Sequence, residues 1–393
     1  MTALIVTCAH AFKTTDGKFY TLSVHGYEFF KRYLRVFDNI KVVARTKHVA
    51  DIDKDKHILM SGEGLTIYEL PYYRGMRELI KRLPSLIKTT RGASFDCDCI
   101  IYRVPQVESY LTFIFGRNKR KPFAVEVVAD PLGIPMLNWI MKKIAVAMLR
   151  LMTKKANGAA YVTETYLQSL YPNTAMKKGE SNRYFQSTYS SIVLDEADIK
   201  EAKLYKDKNT VFELVHVSNA IENNDKGLKT FINVINELND RGYSITGCVV
   251  GDGSAKPFFE SYAHKLGVAD KVRFIGRLSS KESLLERISK SDMFLFPTYS
   301  EGLPRVLIEA GACGLPILST PVAGIPEIVE EKYLFSPEDT NGFVNMIIHL
   351  ISNPLELEAM SKANIEMAKR YTNEQLQKKR DAFYSKLKRL TED

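Results

Sequence analysis

Tryptophan occurs once, at Trp139, and cysteine only five times in 393 residues. The cysteines (Cys8, Cys97, Cys99, Cys248, Cys313) are odd in number and scattered. Only Cys97 and Cys99 stand close, and no second pair completes a zinc cage, so a disulfide scaffold and a zinc module are both excluded and a reduced, cytoplasmic chain is expected. Long hydrophobic runs are also lacking. The greasiest stretch, Met136 to Met152, is broken by Lys142, Lys143 and Arg150. A spanning helix needs about 20 apolar residues, so this stretch is not expected to cross a bilayer. The opening Met1–Thr7 lacks the basic start and cleavage site of a secretory leader and reads as a strand. The seven histidines give no clustered metal-ligand spacing.

What is present is a globular composition, 45% apolar and 26% charged, enough for a core in two or three domains and inconsistent with overall disorder. Charge is unevenly divided. Residues 1–200 hold 30 Lys/Arg against 19 Asp/Glu, while residues 201–393 hold 25 against 27. A basic half and a near-neutral half are expected to face different partners.

Short apolar, β-branched runs alternate with helical patterns along the whole chain. In the first half the runs are Ala3–Thr7, Val42–Ala44, Ile67–Leu70, Cys99–Tyr102, Phe123–Val128 and Ala159–Val162, with a polar loop from Thr7 to about His25. The second half gives strands at Phe212–Val217, Ser244–Val250, Val272–Ile275, Met293–Phe296 and Pro316–Ser319, with helices between them. Such alternation predicts an α/β protein with two Rossmann-like, doubly wound domains facing across a cleft. The charged stretch Asp195–Asn209 sets the boundary: domains at 1–198 and 199–372, and a charged helix at 373–393 expected to pack back on the first.

The informative segment is Pro297-Thr-Tyr-Ser-Glu-Gly-Leu-Pro-Arg-Val-Leu-Ile-Glu309. A strand ends at Phe296, a loop carries Ser300, Glu301 and Gly302, and Pro304 suits a first helical turn. A helix start after a glycine-bearing loop offers free N–H groups to a diphosphate. Glu309 lies five residues on, about 7.5 Å along the helix, so Glu301 and Glu309 are placed to bracket a sugar–diphosphate–nucleoside.

In this context the sequence resembles the family 4 retaining glycosyltransferases of GT-B architecture. The matching pieces come in the family's order: His216-Val-Ser-Asn-Ala with Lys226-Gly227, Val249-Val-Gly-Asp-Gly253, Val272-Arg-Phe-Ile-Gly-Arg-Leu278, and Ser291-Asp-Met-Phe-Leu-Phe-Pro297. Ser300–Ala310, Gly314-Leu-Pro-Ile317 and Thr320-Pro-Val-Ala-Gly-Ile-Pro-Glu327 complete the set. Ala159-Ala-Tyr-Val-Thr163, Leu167-Gln168 and Tyr171-Pro172 look like bacterial members that build surface polysaccharides.

The resemblance implies a hexosyltransferase that moves a sugar from a nucleotide-sugar, UDP favoured and GDP possible, to a glycan or lipid-linked acceptor, without cofactor or metal. It implies that Glu309 holds the donor ribose and Glu301 contacts donor-sugar hydroxyls. Backbone amides across Gly302, Leu303, Pro304, Arg305 and Val306 would meet the diphosphate. Lys226 would neutralise the leaving group, and Arg277–Leu278 would lie against the base. The family often carries an arginine where this chain has Ser218-Asn219, so Arg277 or Arg305 is expected to supply charge beside Asn219. Gly251 belongs to a strand-to-helix turn or a ligand loop; it is not a P-loop, since no Gly-Lys-Ser/Thr follows. Gly17 in Asp16-Gly17 would be the first-half glycine approaching the donor. Asp130 is either a strand-end residue before Pro131 or a group beside the donor sugar, and His10 belongs to the acceptor side or the framework.

Asp96-Cys-Asp98 has the Asp-x-Asp form of a metal–diphosphate motif but precedes a strand directly, and is read as a turn with exposed carboxylates. No nucleic-acid module accompanies the basic half. Arg74–Arg91 is a basic amphipathic segment suited to an anionic membrane surface, which implies a cytoplasmic protein held peripherally. The apolar residues of Asn138–Lys155 are expected to pack on the first sheet instead. Two alternatives stay open: a catalytically silent donor-binding scaffold, and a GT-B nucleotide-sugar epimerase.

Overall fold

The alternating runs become two sheets in the computed structural model, which describes residues 1–53, 56–134, 137–205, 211–278 and 280–392. Met136 and the 206–209 part of the charged boundary stretch lie outside the described residues.

The first sheet contains β1 (Thr2–Lys13), β2 (Phe19–Thr21), β3 (Asn39–His48), β4 (Ile58–Leu59), β5 (Leu65–Pro71), β6 (Cys99–Val104), β7 (Phe123–Val127), β8 (Gly158–Tyr161) and β9 (Phe185–Thr188). Seven of these are parallel, in the order β5-β3-β1-β6-β7-β8-β9. β2 and β4 add an antiparallel corner at the end of β1. β6 and β7 are buried along their whole lengths, as continuous apolar strands covered on both faces must be.

The first strand is longer than its apolar run suggests. It continues through Ala9 and Ala11, both fully buried, to Lys13, and then turns through a hairpin into β2. Small and polar residues hide this period-two pattern, and the register slips between Val6 and Ala9.

The second sheet contains β10 (Phe212–Ala220), β11 (Ile245–Asp252), β12 (Val272–Gly276), β13 (Met293–Leu295) and β14 (Ile317–Leu318), all parallel, in the order β12-β11-β10-β13-β14. Its helices are Leu228–Asp240, Lys256–Lys265, Lys281–Ser289, Arg305–Ala312, Thr340–Ile351 and Pro354–Lys369. The last of these has no clear counterpart in the hydrophobic pattern, because its inward face mixes Leu357, Met360 and Ile365 with Ser361 and Ala368 while Leu355 points outward.

Two compact units result. Unit 1 holds Met1–Val162, Leu167–Tyr189 and the chain from Gln377 onward; unit 2 holds Thr163–Tyr166 and Ser190–Leu376. The handover at Tyr189–Ser190 comes earlier than the boundary expected at 198. The final helix, Asn373–Arg389, begins in unit 2 and ends in unit 1.

That helix is fastened in unit 1 by one buried carboxylate. Glu126 on β7 accepts from the hydroxyls of Tyr33 at 2.9 Å, Tyr189 at 2.9 Å and Tyr384 at 2.6 Å, and pairs with Arg103 at 2.5 Å. Burial pushes this carboxyl up, but Arg103 and the three phenols more than offset it and hold it below its ordinary range. A carboxylate depressed in this way stabilises the fold above its unfolded pKa and loses that contribution as pH falls. Removing a partner leaves charge unsatisfied in the core. Tyr384→Phe is expected to cost about 1.5–3 kcal/mol in urea unfolding, the range for a hydrogen bond to a charged group. The deficit should shrink at acid pH; a deficit that is absent, or equal at all pH values, would contradict this account.

Candidate active site

In unit 2 the chain winds outward from β10 through β11 to β12, then returns to the other side of β10 with β13. The loops after β10 and β13 therefore flank the reversal at the carboxyl ends of the strands, the usual position for ligands in such sheets. Lys226 closes one loop and Glu301 lies in the other.

The two loops are bound together backbone to backbone. Gly227 has φ +71°, and a Cβ there would stand 1.8 Å from the Pro297 carbonyl oxygen, so only glycine permits the approach. The Asp225 carbonyl accepts from the Tyr299 N–H at 2.8 Å and the Thr298 hydroxyl at 3.1 Å. Thr298 in turn is tied through its carbonyl to the Thr320 hydroxyl at 2.8 Å. Thr298 and Thr320 fall within the quoted segments and Asp225 just outside one, but nothing in those segments marks any of the three as a support; the hint is a buried threonine two or three residues past a strand end.

On this frame Lys226 Nζ donates to the Ser300 carbonyl at 2.7 Å and meets Glu301 Oε1 at 2.5 Å. Burial pushes the Glu301 carboxyl up, against the pull of Lys226, Thr298 and Arg305. The helix Arg305–Ala312 starts immediately beyond, with Pro304 as an N-cap that makes no side-chain bond, so its first N–H groups are unsatisfied within the helix. Gly302 is held by the Gly324 N–H, which donates to its carbonyl at 2.9 Å.

Glu309, one turn into that helix, is half-buried, and among the described residues no side chain or N–H hydrogen-bonds its carboxylate. Burial pushes its carboxyl above the usual range, with Arg305 and Lys281 pulling the other way. A desolvated acceptor without a donor suits a ligand rich in hydroxyls.

β10 ends in a bulge between Val217 and Ala220. Gly251, with φ +141°, lies against the Ser218 carbonyl there, and Gly253 against the backbone of Ile221. These contacts account for the two glycines as packing against the β10 end. The Arg277 guanidinium donates to the Asn219 carbonyl at 3.0 Å, and a cavity of about 380 Å³ is lined by Asp252, Gly253 and Arg277. Leu278 follows Arg277 and is half-buried; Leu303 is buried and Val306 half-buried.

The unit 1 candidates sit differently. Gly17, φ +81°, forms the turn of the β1–β2 hairpin, its N–H donating to the Thr14 carbonyl at 3.0 Å, and turn geometry alone accounts for it. The glycine that precedes the first helix is Gly26, N-cap of Tyr27–Leu34. Asp130 is buried, and its Oδ1 accepts from the Leu132 N–H at 3.0 Å and the Tyr171 hydroxyl at 2.6 Å, which makes it an anchor at the strand end. His10 lies on β1 with its ring edge-on to Tyr72 at 5.5 Å. Burial, with Arg45 and Arg74 nearby, lowers its pKa to about 4, so it is neutral at pH 7. Asp98 accepts the Thr2 N–H at 2.7 Å and Asp96 is exposed near Lys41.

Residues 196–367 match the family model described as glycosyl transferases group 1. The chain is 26% identical over 378 residues to Protein CapJ of Staphylococcus aureus, a match covering 93% of this chain and 91% of that one. Among solved structures it resembles a sucrose-phosphate synthase of Thermosynechococcus elongatus, with a TM-score of 0.67 at 14% identity over 99% of this chain and 100% of that one. It also resembles Anabaena HepE, solved with UDP and glucose, with a TM-score of 0.63 at 14% identity over 96% and 97% of the two chains. At such identities the structures show a shared fold.

Glu309 gives a test independent of turnover. A carboxyl whose folded pKa is raised opposes folding once ionised, so its burden is absent below its unfolded pKa and grows as pH rises. Glu309→Gln is expected to raise the melting temperature of the ligand-free protein at pH 7, by an amount that shrinks towards pH 4, while weakening nucleotide binding about tenfold or more by calorimetry. A variant that is destabilised at pH 7, or that binds nucleotide normally, would refute the assignment.

Proposed function

We propose a donor chemistry for a chain whose residues 196–367 belong to the glycosyl transferases group 1 family. The chain is a glycosyltransferase. We infer that it takes a sugar from a nucleotide-diphosphate donor, UDP favoured and GDP possible, and adds it with retention to a glycan or lipid-linked acceptor of a bacterial surface polysaccharide. The likeness to Protein CapJ along most of the chain, and to a fold solved with UDP and glucose, supports this reading.

The observation that carries it is the meeting of Lys226 and Glu301 beside an open helix start, with Glu309 in that helix carrying no hydrogen-bond donor among the described residues. In this reading the diphosphate lies on the free N–H groups of Arg305 and Val306. Lys226 faces the phosphate that departs, where negative charge grows as the C1–O bond breaks. The acceptor oxygen forms its bond to C1 on the same face, and its proton passes to the departing phosphate oxygen, so no protein nucleophile is required. Glu301, held by Lys226, orients the sugar hydroxyls, and Glu309 takes the ribose. Arg277, already against the Asn219 carbonyl, supplies a cation beside the position where the resembling family carries an arginine. With Lys226, Arg277, Arg305 and a helix dipole on the diphosphate, we propose that no metal is needed. We also infer peripheral attachment to a membrane, for which the charge of unit 1 argues.

Lys226→Ala is expected to lower kcat about 100- to 1,000-fold, the cost of one lost charge stabiliser, with Lys226→Arg recovering part of it. Glu309→Ala should chiefly weaken donor binding. The measurements are calorimetry with a panel of UDP- and GDP-sugars, then transfer or slow donor hydrolysis with and without chelator. Unchanged turnover in Lys226→Ala would refute the site. Tight donor binding with neither transfer nor hydrolysis would favour a scaffold, and loss of activity on chelation would refute metal independence.

A further inference from the structure

The helix Trp139–Lys155 turns an unusual surface to solvent. Ala145, Leu149, Met152 and Thr153 are buried against unit 1. Trp139, Ile140 and Ile144 are instead 66%, 51% and 59% exposed, and Leu151 is exposed with them. The expectation that the apolar residues of this segment all pack on the sheet is therefore half right: the small inner stripe packs and the large outer one does not. A water-facing helix surface normally carries polar side chains of both signs. Here the outward positions hold these apolar residues with Lys143, Arg150, Lys154 and Lys155, and no acid at all. Lys143 Nζ stands 4.6 Å over the Trp139 ring.

The adjoining segments continue the same surface. The Tyr110 hydroxyl donates to the Ala145 carbonyl at 3.1 Å, which joins the segment 107–116 to this helix. Gly116 lies against the Thr90 carbonyl at the end of the helix Gly75–Thr90. Successive parallel crossovers from β6 to β7 to β8 fall on one face of a sheet, so these pieces share a side. Ile80, Ile114 and Phe115 are exposed on them. Residues 74–91, 112–121 and 138–155 together hold fifteen Lys/Arg and one acid, Glu78.

We propose that this face of unit 1 docks on an anionic lipid bilayer, with Trp139, Ile140 and Ile144 at the headgroup–acyl boundary and the surrounding cations on lipid phosphates. The proposal deepens the peripheral-membrane reading above and rests on it. Charge decides the occupant. A second copy would bring fifteen cations against fifteen, whereas an anionic surface complements them, and apolar side chains ringed by Lys and Arg suit the interfacial layer. The basic helix Gly75–Thr90 then adds charge to a contact whose apolar insertion comes from its neighbour.

Trp139 is the sole tryptophan, so the full-length protein carries its own reporter. Vesicles of equal parts phosphatidylcholine and phosphatidylglycerol should shift its emission to the blue and float the protein, with binding weakened at least tenfold by high salt. Pure phosphatidylcholine vesicles should do neither. Ile140→Ser with Ile144→Ser, both exposed and therefore compatible with folding, should weaken vesicle binding at least tenfold. UDP binding, measured alongside, should be unchanged. No blue shift with anionic vesicles, or a shift that survives the double substitution, overturns the proposal. So does concentration-dependent self-association that buries Trp139 without lipid. Failure of vesicle binding with UDP binding intact would leave the donor reading standing, and loss of UDP binding in the unaltered protein would strike the donor reading alone.

Discussion

The proposed donor site depends on the contact between Gly227 and the Pro297 carbonyl. It requires a residue without a Cβ in a left-handed conformation, and in return it fixes two loops from opposite sides of the sheet reversal. Lys226 immediately precedes Gly227, and Glu301 lies four residues past Pro297, so their charges inherit the precision of the backbone beneath them. A salt bridge between two free side chains would be worth little and would wander. This one is half-buried and continued by the Lys226 bond to the Ser300 carbonyl, which makes it part of the frame. Charge positioned before the substrate arrives needs no reorganisation when bonds change.

Much of unit 2 is legible in the sequence because parallel strands there are plain apolar runs and each helix begins at a recognisable punctuation mark. Pro304, Gly227 and the Ser280 cap, whose hydroxyl accepts from the Ser283 N–H, are such marks. The Lys226–Glu301–Glu309 constellation is legible for the same reason: strand ends and helix starts determine where loops must meet. What escapes is support rather than chemistry. Thr298 and Asp225 act through a hydroxyl and a carbonyl, and a carbonyl has no signature in any residue letter. In unit 1 Gly17 lies in the turn of the β1–β2 hairpin, whose first strand is concealed in the sequence by alanine, cysteine and histidine. Asp130 shows the same limit, since its partner Tyr171 lies 41 positions away.

The division of charge between the two halves has a spatial cause. Inside unit 1, Arg103 is matched by Glu126 and Arg45 by Glu108 at 2.7 Å, while Arg32 is buried over the Phe29 ring. Exposed cations are concentrated on the neighbouring segments 74–91, 112–121 and 138–155, whose one acid is Glu78. Unit 2 distributes its charges differently, with Glu213 shared by Arg273 and Arg287 at the base of its sheet. Composition alone reports an excess, and only the fold separates the buried pairs from the exposed surplus.

The path of the last helix bears on how the chain matures during synthesis. Glu126 is buried among hydroxyls, one of which belongs to Tyr384, 258 residues further along the chain. At roughly 5–20 residues per second a ribosome takes about 13–50 s to cover that distance. Over this interval the first unit to leave the ribosome lacks its final strap, while unit 2, apart from Thr163–Tyr166, is made in the single stretch from Ser190 to Leu376. The half made first is therefore finished last, and until the last helix arrives Glu126 has only Arg103, Tyr33 and Tyr189 of its four partners to meet it.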